Sequence, residues 1–285
     1  MEHARDSIPI SPMMPAHRPV GANAERPKGL RGVGAARWAR YGAILAFLAA
    51  WQLSRVFIPP IYISTPLAAL LDFVKMLLGG NFLPAFAESL LEFVLGLSAA
   101  ILIGVGSGIL LGRIRAIERM ASPLVAFGNA TPAIALLPLM ELWFGIGRDA
   151  RVAFIATLAI WTLLINTLTG IGAVAGGVRD VGKMVGMSPW VQTWKIYVPA
   201  TLPYIFPALR IAVSLGALGM ILGGQEIGQA GLGGLSVIYG SYYETGHLVA
   251  TIASTTLLAI LFYWVLKVLQ ARTCPWIAAK SARPR

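Results

Sequence analysis

The chain has little charge and few of the residues that support metal or redox chemistry. Only 12% of its 285 residues are Asp, Glu, Lys or Arg, with three histidines and one cysteine. A single cysteine, Cys274, excludes an intrachain disulfide and reads as a small apolar residue near a helix end. His3 and His17 fall close to the N-terminus, so no transition-metal cluster is expected. What is abundant is apolar: 57% of residues are hydrophobic, which places the chain among integral membrane proteins.

Six apolar runs are long enough to be read as spans, at 41–58, 89–112, 122–145, 152–174, 203–224 and 248–270. Each approaches the ~20 residues that a helix needs to cross a ~30 Å hydrocarbon core. The runs are continuous and rich in Leu and Ala, which fits alternating barrel strands poorly. The expected fold is an all-α integral membrane protein, a six-transmembrane-helix bundle.

Lys and Arg set the orientation. Eighteen of the 23 fall in the first tail and in alternate connections, among them Arg113, Arg115, Arg119, Arg179, Lys183, Lys195 and Lys267. Arg55, Lys75, Arg148 and Arg151 fall on the opposite side, and Arg210 lies inside the fifth span. Both termini and the 180–199 connection are therefore expected in the cytoplasm. Residues 1–37 read as a disordered basic tail, 38–273 as the membrane domain and 274–285 as a second tail. No cleavable signal is expected, because the apolar run starts late. The net charge of +11 is dispersed between spans, so no nucleic-acid partner is expected; the lipid bilayer is the surrounding partner.

The most informative segment is DVGKMVGMSPWVQTWKIYVP, Asp180–Pro199, a polar stretch between long apolar runs. Gly186 is a helix stop, Ser188 an N-cap and Pro189 a first helical residue, so a helix–turn–helix is expected here. Trp190, Val191, Trp194, Tyr197 and Val198 recur at helical spacing and give the second piece one apolar face. Two readings of that face stay open: docking against another protein, or anchoring of Trp190 and Trp194 at the membrane interface.

Within the spans, Gly96, Ala100, Gly104, Gly108 and Gly112 form a small-residue stripe, expected to pack helices inside the chain or between copies. Pro132, Pro138, Pro203 and Pro207 predict kinks or broken helices. Asn129 and Thr131, beside Pro132, are polar groups that would line a passage. Arg210 either snorkels to the headgroups or makes an internal contact, and Glu226 sits at the outer end of its span. Glu88 and Glu92 open the second span, and are expected to be solvated or favoured by the helix dipole.

Two catalytic motifs fail. Gly177–Met184 nearly matches a phosphate-binding loop, but Met184 stands where a magnesium-binding hydroxyl is needed. Ser107 and His247 would be separated by most of the bilayer, which denies a nucleophile its base. The chain is not expected to be an enzyme or to hold a cofactor of its own.

The spacing of Asp180–Pro199 resembles the cytoplasmic signature of permease subunits of bacterial ABC importers: Glu-Ala-Ala, three residues, Gly, nine residues, Ile-x-Leu-Pro. Asp180, Val181 and Gly182 take the first three places, Gly186 the glycine, Ile196 the isoleucine, and Val198-Pro199 the end. Asp replaces Glu, Val-Gly replaces Ala-Ala, and Val replaces Leu. Ser64-Thr65-Pro66, Leu137-Pro138-Leu139, Trp143–Gly147 and Gly231-Leu232-Gly233 are similar to segments of the nitrate/sulfonate/taurine-type members. The resemblance implies a coupling helix within about 175–202, with Asp180 and Gly186 setting its geometry and Met184, Met187 and Trp190 docking. It also implies two cytoplasmic ATPase subunits that bind ATP and Mg, an external solute-binding protein and a second permease copy, forming a homodimer. The solute would be small, such as nitrate, a sulfonate or taurine. A secondary transporter or channel, which would depend on acids such as Glu141 or Glu226, is the alternative.

Overall fold

A computed structural model describes residues 31–59, 61–174 and 176–275. Most of the expected N-terminal tail and residues 276–285 lie outside them. The chain divides into two units, Met1–Ala49 and Ala50–Arg285. The first contributes the start of helix α1 (Arg31–Leu53). That helix ends five residues before the expected limit of 41–58 and passes into a 3-10 turn, Ser54–Val56.

The second unit is helical along its length. Helix α2 (Pro66–Leu78) was not anticipated as a separate element. Its start follows capping chemistry: the Thr65 hydroxyl accepts from the Ala68 N–H at 3.3 Å, and Pro66 occupies the first turn. Then come α3 (Phe82–Gly112), α4 (Arg115–Ala130), α5 (Ala133–Phe144), α6 (Arg148–Gly172), α7 (Gly176–Met184), α8 (Pro189–Glu226), α9 (Gly231–Ser241) and α10 (Thr245–Thr273). Helices α3, α6, α8 and α10 are each long and apolar enough to cross a bilayer. Helices α4 and α5, bent by 91° at Thr131–Pro132, are together apolar and long enough for one broken span or a re-entrant loop. The expected kink near Pro132 is thus a full break. Pro203 and Pro207 differ, because α8 continues through both without interruption.

The small-residue stripe packs within the chain. A Cβ at Gly96 would lie 2.6 Å from Ile155, one at Gly104 2.8 Å from the Ile160 oxygen, and one at Gly108 2.6 Å from Thr167, all on α6. Without a hydrophobic drive between helices in lipid, this close approach is what dispersion packing requires. Residues repeating every fourth position should drift by about 40° per step around a 3.6-residue helix. A π-helical turn at Ile101–Val105 takes up an extra residue and brings the later glycines back toward α6. The same core includes Phe93, Ile155, Leu163, Val213, Met220 and Leu232. Cys274 is buried at the end of α10, as its apolar character suggested.

Candidate functional site

The Asp180–Pro199 segment folds by local rules. Gly186 closes α7 with φ of +74°, a conformation that costs any side chain, and the Met187 N–H donates to the Gly182 oxygen at 3.0 Å. This bond, six residues back to one, ends the helix and reverses the chain. Ser188 then caps α8: its hydroxyl accepts from the Val191 N–H at 3.4 Å, and Pro189 follows. Buried Gln192 donates from its amide to the Met187 oxygen at 3.2 Å, and Arg113 reaches across to the Pro189 oxygen at 3.0 Å. Gly182 lies so close to the start of α8 that a Cβ would be 3.0 Å from Ile196.

The turn therefore presents a rigid tip. Met184 is 84% exposed and Trp190 66%, with Val181, Val185 and Trp194 also exposed. Trp190 and Trp194 pack edge to face at 5.7 Å. Asp180 is exposed, Met187 half-buried, and Ile196 and Pro199 half-buried against the bundle. The second piece is not a free-standing helix: it runs through a π-helical stretch, Thr193–Tyr197, straight into α8. The tip is thus continuous with the helix that packs on α6.

A second arrangement corrects the sequence expectation. Glu92 is 1% exposed, not solvated, and Arg151, counted among external basic residues, is 4% exposed. The Arg151 guanidinium donates from Nε to Glu92 at 2.8 Å, from Nη2 to Glu88 at 2.7 Å and from Nη1 to the Ile227 oxygen at 3.0 Å. Ser89, on the same turn of α3, accepts from the Leu232 N–H at 2.8 Å. One turn of α3 therefore grips α6 and the start of α9, while Arg151 holds the connection between α8 and α9. The missed signal was Glu88 and Glu92 one turn apart in an apolar run, facing a span that begins with Arg151.

Asn129 and Thr131 are brought together. They line a cavity of about 200 Å³ at the α4–α5 break, with Ala133, Leu136, Thr157, Leu158, Trp161, Thr162 and Leu215. Arg210 and Glu226 do not line it. Arg210 donates to Gln270 and stacks over Tyr263 at 5.2 Å, so it makes an internal contact with α10, one of its two expected roles. Glu226 is the exposed last residue of α8.

Residues 96–274 match the model of the family described as binding-protein-dependent transport system inner membrane component. The chain belongs to this family. It is a multi-pass membrane protein, the permease component of such a transport system. It is 29% identical to the taurine transport system permease protein of Escherichia coli K12 over 67% of this chain and 69% of that one. It is 30% identical to the bicarbonate transport system permease protein of Synechococcus elongatus over 66% of each chain. The chain thus spans about two thirds of the length of these relatives. Its fold is similar to that of a chain from an inward-facing MetNI methionine ABC transporter, with a TM-score of 0.60 at 20% identity, covering 70% of this chain and 96% of that one. Family membership and the permease relatives support the permease reading over a secondary transporter or channel.

Proposed function

We propose that this permease serves an ATP-driven importer of a compact solute, related in kind to the taurine, bicarbonate and sulfonate systems of its relatives. The observation that carries this reading is the tip at Met184–Trp190: a rigid, hydrophobic surface on a segment whose basic flanks assign it to the cytoplasm. Such a surface, held by a positive-φ glycine and an N-cap, suits a groove on a partner protein. The partner is a cytoplasmic ATPase that binds ATP and Mg, and Met184, Met187 and Trp190 seat in it. Asp180, Val181, Gly182, Gly186, Ile196 and Pro199 hold the geometry. Because the tip is continuous with α8, closure of the ATPases swings that helix and switches the passage, as packed elements move between discrete arrangements. A second copy completes the passage as a homodimer, an external binding protein delivers the solute, and both termini face the cytoplasm. Residues 38–273 form the membrane domain between the tails 1–37 and 274–285.

Gly186→Pro tests this, since proline cannot adopt the positive φ and removes the glycine N–H. The permease co-expressed with its ATPase should lose both association and solute uptake while still reaching the membrane. Undiminished association would overturn the coupling role.

A further inference from the structure

We propose that the cavity at the α4–α5 break holds the solute in transit, and that Trp161 sets the largest solute that passes. This rests on the permease reading above and extends it to the path itself. Irregular backbone at membrane depth persists only where protein buries it or where it lines a water-filled cavity. Here the 91° break and the cavity coincide.

The lining favours a compact solute of low net charge. Its volume of about 200 Å³ is below the range of drug-sized sites, about 300–1,000 Å³, and equals roughly six to seven waters at about 30 Å³ each. None of its lining residues is ionisable. The Thr131 hydroxyl already donates to the Phe127 oxygen at 2.9 Å, and that of Thr157 to the Ala153 oxygen at 2.8 Å. Each therefore offers a solute an acceptor, while Asn129 offers both donors and an acceptor. Neutral polar groups bind a solute without trapping it, which passage demands. A fixed ammonium or carboxylate would hold an oppositely charged solute too long.

Trp161 is the wall that decides size. Its ring lies flush on Gly128, where any Cβ would overlap it. Glycine at 128 thus lets the indole sit back against α4 and keeps the cavity open. A side chain at 128 would push the ring, and removing the ring would enlarge the space.

The single native cysteine makes this measurable. In a Cys274→Ser background, Thr162→Cys reports access in membranes of cells producing the permease with its ATPase. The probes are 2-sulfonatoethyl methanethiosulfonate and a bulky fluorescein-bearing methanethiosulfonate, with unmodified thiol read afterwards by a maleimide gel shift. The small reagent should label Thr162→Cys and the bulky one should lag by about tenfold or more, a typical penalty for exceeding a pocket's size. Adding Trp161→Ala should abolish that lag, Trp161→Phe should reduce it, and Gly128→Val should slow the small reagent. Labelling by neither reagent, or a lag unchanged by both Trp161 variants, overturns the proposal. ATPase association is scored in the same membranes, so its loss points to the coupling reading and its retention isolates the cavity.

Discussion

The tip at Met184–Trp190 and the Glu88–Arg151–Glu92 cluster show opposite ways of spending polar and apolar groups. At the tip, hydrophobic side chains face outward and the order comes from backbone: a positive-φ glycine, an N-cap and a proline. At the cluster, charges face inward and the order comes from side chains drawn from α3 and α6 that close on the Ile227 oxygen. The first is built mainly from bonds between near neighbours, with the Arg113 bond to the Pro189 oxygen added from a distance, and its apolar side chains face outward. The second is long-range, with residues 59, 63 and 76 positions apart in contact. Partner-binding surfaces should behave like the first and fixed joints like the second.

That contrast can be broken most severely at the joint. Arg151→Met leaves Glu92 buried without the cation it is hydrogen-bonded to, and removing one partner of a buried pair costs about 3–5 kcal/mol. A large fall in the melting temperature of the detergent-solubilised permease is expected. The double variant Arg151→Met with Glu92→Leu should recover much of it, because hydrophobic replacement of a whole buried pair is often near neutral. If the double variant melts no higher than the single, the cluster is not acting as a pair.

A smaller loss is expected at the stripe. Gly108→Val would drive a side chain into Thr167 and force α3 from α6, at about 1–3 kcal/mol for overpacking. The melting temperature checks it, and Gly106→Val, where a Cβ meets nothing within 4 Å, should change little. The smallest effect belongs to the tip. Ser188→Ala removes one cap bond, worth about 1 kcal/mol. Faster amide exchange at Val191, with an unchanged melting temperature, would show that the tip is ordered locally and not by the bundle.

Legibility followed the same division. The glycine stop, the serine cap and the proline start were readable because each acts through its own neighbours. The broken span was readable in part: Pro132 located it, but the chain alone gave no measure of a 91° turn. The stripe announced close packing, yet its partner α6 and the π turn that keeps it aligned emerge only from the packed helices. Arg210 stayed between two readings because the choice depends on what lies beside the helix, and Gln270 and Tyr263 lie sixty and 53 positions away in sequence. Helix α2 went unread because an amphipathic element between spans has neither the length nor the continuity that marks a membrane crossing.

The sequence by itself determined that this protein is a helical membrane bundle and where its chain reverses at Gly186. These are properties of short windows, set by hydrophobic length, charge and backbone conformation. Only the tertiary structure decided that Arg151 joins α3, α6 and the α8–α9 connection, and that Asn129, Thr131 and Trp161 enclose one space. Those depend on which helices pack together, and in lipid that choice is made by shape and hydrogen bonding between distant segments.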